Sequence, residues 1–375
     1  MKNTSDIPSP CFVLDEQKLV RNLERIKSVG DAADVTIVLA FKGFSMWSSF
    51  HLINDYVSTA AVSSLNEVLL CEEHMHTKAH TYCVAYDPAA FITIAKKSSH
   101  LTFNSLSQYK KFIDLVPDNV SIGLRVNPEW SDVETDFYNP SSPQSRLGIL
   151  FSNLNELPER VDGLHFHVLC ESDSFSLETV LENFATRFGH LLDKIKWINM
   201  GGGHLITKKD YDTEHLISIL KKFKEKHQVE VILEPGSAFV WQTGNLITTV
   251  LDVVERNGTK TAIIDASFTC HMPDCLEMPY RPDITGASKT EVNGAKSFRI
   301  GGVSCLAGDY LEEYWFDRNL KEGDKIVFED MMHYTMVKTT MFNGVAHPSI
   351  GIMRQDGSFE LVREFGYHDY RNRLS

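Results

Sequence analysis

The chain has 375 residues, 43% hydrophobic and 23% charged, with 22 Gly and 13 Pro, a composition that supplies a large core and excludes collagen-like, coiled-coil and disordered classes. Its 37 Lys and Arg against 50 Asp and Glu leave a formal charge of −13, which disfavours extended contact with a nucleic-acid backbone and suits a cationic ligand better. No run approaches the roughly 20 apolar residues of a membrane span, and the start MKNTSDIPSP has no apolar signal-peptide core, so a cytoplasmic protein with no membrane partner is expected.

In chain order, a short apolar run at 11–14 precedes a helical segment at 18–27. Eight runs rich in β-branched and apolar residues then occur at 35–41, 59–62, 81–85, 101–103, 120–126, 163–169, 197–200 and 229–233. Segments of helical spacing and mixed charge, such as 65–76, 105–115, 177–192 and 212–227, separate most of them. Strand alternating with helix predicts a parallel sheet, and eight such units in roughly 210 residues match an α/β fold of the (β/α)8 TIM barrel type. After Pro235 the texture changes: 238–254, 261–265, 296–300, 325–328, 333–341 and 359–364 are β-like with few helical spacers. They predict a second, mainly antiparallel β domain, which the 11–14 run can join. The expected boundaries are 17–245 for the barrel, and 1–16 with 246–375 for the β domain. Seven scattered cysteines without a C-x-x-C pair suggest neither a disulfide framework nor a zinc site; most are expected to be small buried hydrophobes.

Function in a barrel collects at the C-terminal strand ends. The first run closes in Ala40-Phe41-Lys42-Gly43. A lysine there either snorkels to solvent or, where burial disfavours its charge, becomes an amine able to form Schiff bases. The sixth run holds His165-Phe166-His167, whose period of two puts both histidines on one face, as metal ligands, a ring-stacking pair or satisfied core residues. No third ligand stands at a convincing metal-site spacing. The seventh run enters Gly201-Gly202-Gly203, a tight turn or a backbone cradle for phosphate. The eighth ends in Glu234-Pro235-Gly236-Ser237, with a carboxylate facing ligand or solvent. A lysine, a flat ring, a phosphate cradle and a carboxylate at one barrel mouth are the four partners that pyridoxal phosphate needs. The competing reading, a metal-dependent hydrolase using both histidines, would hold zinc.

Eight segments in order extend the pattern through both halves: LAFKGFSMWS (39–48), ETDFYNPSSPQSRLGI (134–149), GLHFHVLCE (163–171), WINMGGGHLIT (197–207), LEPG (233–236), CHMPDCLEMPYRPDI (270–284), CLAGDYL (305–311) and HYTMVKTTMFNG (333–344). With these segments the chain resembles the alanine racemase-like, fold type III pyridoxal-phosphate decarboxylases, the group of the ornithine and diaminopimelate decarboxylases. Within that group it is most similar to the carboxynorspermidine and carboxyspermidine decarboxylases.

The resemblance implies Lys42 as the Schiff-base lysine, His167 stacked on the cofactor ring and Glu234 on its pyridine nitrogen. Gly201, Gly202, Gly203 and Gly236 would cradle the phosphate, Tyr334 would bind a phosphate oxygen, and Arg125 would lie near the cofactor. Cys305, contributed by the partner subunit of a homodimer with shared active sites, would protonate the substrate carbon. Asp274, with Asp309 beside it, would bind the chain of a small cationic carboxylated polyamine. The implied reaction converts carboxynorspermidine or carboxyspermidine to norspermidine or spermidine. The family pattern places a glutamate substrate contact after EPG, where this chain has Ser237. Losing that carboxylate removes a charge-assisted hydrogen bond of roughly 1.5–3 kcal/mol, which leaves open another amine-tailed amino acid, such as a siderophore precursor or a diaminopimelate-like substrate.

Overall fold

The computed structural model describes residues 6–133 and 139–375; the first five residues of the ETDFYNPSSPQSRLGI segment lie outside them. The chain forms two compact units, Arg21–Phe239, and Met1–Val20 with Val240–Ser375.

Arg21–Phe239 is a ring of parallel strands with helices between them. Its strands run, in spatial order, Glu230–Leu233, Trp197–Asn199, Val161–His165, Ser121–Asn127, Ser98–Phe103, Ala79–Tyr82 and Ala60–Val62. The run expected at 35–41 closes the ring and is split to do so. Thr36–Ile37 pairs with Glu230–Leu233, whereas Leu39–Ala40 pairs with Ala60–Val62. At the break the Val38 N–H donates to the Leu233 carbonyl (2.9 Å), and the Phe41 N–H to the Ala61 carbonyl (3.1 Å). One strand must hydrogen-bond two neighbours that diverge around a barrel, so its ladder changes side halfway.

Layers of inward side chains fill the barrel. Trp197 lies low, against Val38 and Ile232, and its Nε1–H donates to the Ser121 hydroxyl (2.8 Å). Gly163 makes room for its indole: a Cβ there would stand 2.1 Å from the ring. One pleat higher, register brings Arg125, His165 and Asn199 side by side on three adjacent strands. The outward alternate, Phe166, packs on Phe184 of the helix Ser174–Leu192 (ring centroids 5.2 Å). That helix buries Leu177, Val180, Leu181, Phe184, Phe188 and Leu191 at helical spacing, and Asp173 caps it by accepting from the Ser176 N–H (2.9 Å).

The other unit is built on a nine-stranded sheet. Cys11–Asp15 lies antiparallel to Gly244–Arg256 and parallel to Ser349–Met353; Thr259–Ile264 with Lys296–Gly301 is the other parallel pair, and the remaining pairings are antiparallel. Two expected β segments are corrected. The 238–254 run begins as a short helix, Ser237–Val240, and becomes a strand only from Gly244. The 333–341 run carries no strand: Tyr334 sits at φ +50°, and a 3-10 turn follows at Met336–Lys338. A left-handed residue cannot continue a ladder, so these β-branched side chains serve a compact turn. The strands Tyr310–Phe316 and Ser349–Met353 escape the sequence reading, the first because an acidic pair interrupts its alternation and the second because a glycine does. Among the described residues no helix is long and apolar enough to cross a membrane.

Candidate active site

The strand ends of the barrel unit bring Lys42, His167 and Glu234 together. Each follows a strand and sits in the turn that leaves it. The Lys42 side chain is exposed to solvent, with His167 Nε2 3.1 Å from its amine. Burial, and then the Arg125 cation, push its amine below the ordinary lysine range.

Hydrogen bonds settle the proton positions. The Gly202 N–H donates to His167 Nδ1 (3.0 Å), so a neutral His167 carries its proton on Nε2. That nitrogen lies 3.1 Å from Lys42 Nζ, and an Nε2–H can only donate to an amine with a free lone pair. Burial and the neighbouring Lys42 and Arg125 hold His167 well below the usual imidazole range. Lys42 is thereby shifted toward the neutral amine, the form that attacks an aldehyde.

Glu234 is buried, and burial pushes its carboxyl up, opposed by the Asn199 amide and then by the Lys42 and Arg125 side chains. Asn199 Nδ2 donates to Glu234 Oε1 (2.5 Å), while Asn199 Oδ1 accepts from the Gly201 N–H (2.9 Å). Arg125 donates to the His167 carbonyl (3.1 Å) and lies over the Tyr82 ring at 4.7 Å. His165, His167 and Glu234 offer donor atoms within 4.8 Å of one another. The carboxylate is the third converging group that sequence spacing did not reveal.

The triple glycine has two roles. A Cβ on Gly201 would lie 2.6 Å from the Phe166 carbonyl oxygen, one on Gly202 2.3 Å from that of Glu234, and one on Gly203 2.3 Å from that of Leu169. The loop therefore packs backbone to backbone, which only glycine allows. Gly201 and Gly202 give their N–H groups to Asn199 and His167, so an anion at this loop would take its donors from Gly203 and Gly236.

In the other unit, Cys305 is exposed, its N–H donating to Asn343 Oδ1 (2.8 Å). Five of the seven cysteines are buried; Cys170 and Cys305 are the exposed ones. Asp274 contacts Lys338, which also reaches Glu277 (2.7 Å). Burial pushes the Asp274 carboxyl up against the opposing effect of Lys338. Asp309 differs from its expected place on the polyamine chain. It is buried, and its carboxylate accepts the N–H groups of Phe268 (2.7 Å), Thr269 (3.1 Å) and Ser304 (3.1 Å), which makes it the organiser of the loop that carries Cys305. Tyr334 and Ser237 are half-buried, Tyr334 in its left-handed turn and Ser237 opening a short helix.

An amine, a flat ring, a buried carboxylate and two glycine N–H groups fit pyridoxal phosphate: aldehyde, pyridine face, ring nitrogen and phosphate respectively. The reading of strand ends missed Asn199, which lies on the inward face of its strand two residues before the triple glycine; period-two alternation marks that position.

The family model described as pyridoxal-dependent decarboxylase, C-terminal sheet domain, matches residues 11–332. A carboxyaminopropylagmatine decarboxylase of Synechocystis is 47% identical, over 99% of this chain and 96% of its own length. A carboxynorspermidine/carboxyspermidine decarboxylase of Campylobacter jejuni is 40% identical, over 97% of this chain and 98% of its own. The crystal structure of carboxynorspermidine decarboxylase from Campylobacter jejuni complexed with norspermidine superposes with a TM-score of 0.92 at 39% identity, covering 98% of this chain and all of that one. A diaminopimelate decarboxylase structure, at 19% identity and a TM-score of 0.83, shares the fold.

Proposed function

The chain belongs to the pyridoxal-dependent decarboxylases, and from that premise we propose how its residues divide the decarboxylation of a carboxylated polyamine. It is a pyridoxal-phosphate-dependent carboxy-lyase of polyamine biosynthesis. The observation that carries the assignment of residues is the Lys42 amine, 3.1 Å from His167 Nε2 at the strand ends.

Bound pyridoxal phosphate supplies the electron sink that lets a carboxylate leave as carbon dioxide. Lys42 would hold the aldehyde end of the cofactor and would give up that place to the substrate amine, leaving as the free amine. His167 presents its ring face with the tautomer locked by Gly202. Glu234, oriented by Asn199, keeps a proton on the pyridine nitrogen. Gly203, Gly236 and Tyr334 hold the phosphate, and Gly201 and Gly202 shape the loop beneath it. Cys305 returns a proton to the substrate carbon. Asp274 binds the cationic chain, for which Lys338 stands in between turnovers, and Ser237 lines the same route. Asp309 acts on substrate only through the loop it organises.

The enzyme works in the cytoplasm as a homodimer in which one protomer supplies Lys42 and its partner the thiol. The barrel, expected over 17–245 and compact over Arg21–Phe239, binds the cofactor. Cys305→Ala is expected to bind cofactor normally and to slow or misdirect protonation. Mixing Cys305→Ala with Lys42→Ala protein restores about a quarter of wild-type activity after random subunit exchange, because half the dimers are mixed and each holds one intact site. Full-rate Cys305→Ala, or no recovery on mixing, would refute the shared site.

The substrate is carboxynorspermidine or carboxyspermidine, yielding norspermidine or spermidine. A second reading, a carboxyaminopropylagmatine with a guanidine tail, is favoured by the 47% identity to the Synechocystis enzyme and by Ser237, which lacks the glutamate carboxylate expected for an amine contact. Carbon dioxide release from these three, with diaminopimelate, ornithine and lysine alongside, tests both. Preference for either amine-tailed polyamine supports the first reading and preference for the guanidine compound the second; turnover confined to the three amino acids would sink both.

A further inference from the structure

His165 is 2% exposed, and neither ring nitrogen has a hydrogen-bond partner. A buried imidazole left unsatisfied is costly, so its position calls for a function that packing does not supply. It stands in register between Arg125 and Asn199 on the inward face of the barrel. Its Nε2 lies 3.6 Å from Glu234 Oε2, too long for a hydrogen bond and close enough that a small rotation of the carboxylate completes one. The other oxygen, Oε1, is already taken by Asn199.

We propose that His165 is a positioning residue for Glu234: its neutral imidazole donates Nε2–H to Oε2, closing with Asn199 a two-donor clamp that aims the carboxylate at the ring nitrogen. This rests on the assignment of Glu234 to that nitrogen. The groups facing His165 favour the neutral donor. Burial, and then the Arg125 cation on one neighbouring strand, oppose its protonation, with Lys42 from the first strand end and His80 from the strand Ala79–Tyr82 also facing it. Tyr82 meets it edge-on at 5.4 Å, and Glu234 is the facing anion.

The test uses holoenzyme and apoprotein of His165→Phe, His165→Gln, Glu234→Gln and the double variant His165→Phe/Glu234→Gln. The readouts are cofactor affinity, the pH midpoint of the bound-cofactor absorption, and kcat against KM. His165→Phe is expected to lower kcat about tenfold, with little change in KM, and to weaken cofactor binding and shift the pH midpoint. His165→Gln, which keeps a donor, recovers most of both. In the Glu234→Gln background, His165→Phe adds nothing further. Additive effects, or a His165→Phe enzyme with unchanged midpoint and kcat, would overturn the clamp. A silent Glu234→Gln would overturn the Glu234 assignment, and the clamp with it; a strong Glu234→Gln effect with additive His165→Phe sinks the clamp alone. A His165→Phe protein that fails to fold leaves the decision to His165→Gln, whose pH midpoint must stay near wild type while Glu234→Gln shifts.

Discussion

Replacing Lys42 with alanine is expected to abolish turnover, by roughly 10,000-fold or more, the scale seen when the covalent member of a catalytic unit is removed. In the proposed site Lys42 is the amine that bonds the aldehyde carbon, and with it goes the 3.1 Å contact to His167 Nε2. Absorption of the lysine-bound cofactor disappears in the same variant, and cofactor affinity falls. Lys42→Arg is no rescue, because a guanidinium stays protonated and cannot act as a nucleophile at any working pH. The measurement is carbon dioxide release together with a spectrophotometric titration of the apoprotein. A Lys42→Ala enzyme that decarboxylates near the wild-type rate would refute the assignment.

Acid is expected to unfold the barrel unit near pH 5. His80, His165 and His204 are buried in it and kept neutral by burial, His80 down to about 3, His204 to about 4 and His165 well below the imidazole range. In the unfolded chain each takes up a proton as pH falls through about 6.5. Between these limits the unfolded state binds more protons, so stability falls with falling pH. From pH 7 to pH 5 His80 and His204 each cost about 2 kcal/mol, and His165 adds to the loss in the same direction, together a large share of a domain's stability. Glu234 and Glu67, whose carboxyls burial pushes up, work in the opposite direction and offset part of this loss. Denaturant unfolding of the apoprotein across this range measures the slope, and His204→Leu reduces it by about a third. A stability flat between pH 7 and pH 5 would show that these imidazoles are protonated in the folded state.

The two results bear on one design. The barrel keeps its polar layer uncharged where it can, which is what makes Lys42 reactive, and it does so with histidines whose neutrality acid can overturn. Function at the strand ends and sensitivity to acid therefore arise from the same burial.

The barrel was legible from the sequence because strands and helices have local periods. Eight apolar runs spaced by amphipathic helices state the architecture without any long-range information, and alternation already placed His165 and His167 on one side and Phe166 on the other. Lys42, His167 and Glu234 were legible as strand-end residues, and the family motifs tied them to one cofactor. What the tertiary structure decided depends on directions and distances between segments far apart in the chain. That Gly202 gives its N–H to His167, and so fixes which ring nitrogen faces Lys42 with a proton, follows from how the loop after Trp197–Asn199 folds across the loop after Val161–His165. The split at Val38 exists only because the ring closes, and the left-handed turn at Tyr334 cancels a strand that β-branched composition favoured. Asp309 reads as a ligand-binding carboxylate in one dimension and proves to be filled by three backbone donors in three. Periodicity specifies which face a side chain takes; which partner its polar atoms find is set by the convergence of separate strand ends, and no local spacing carries that information.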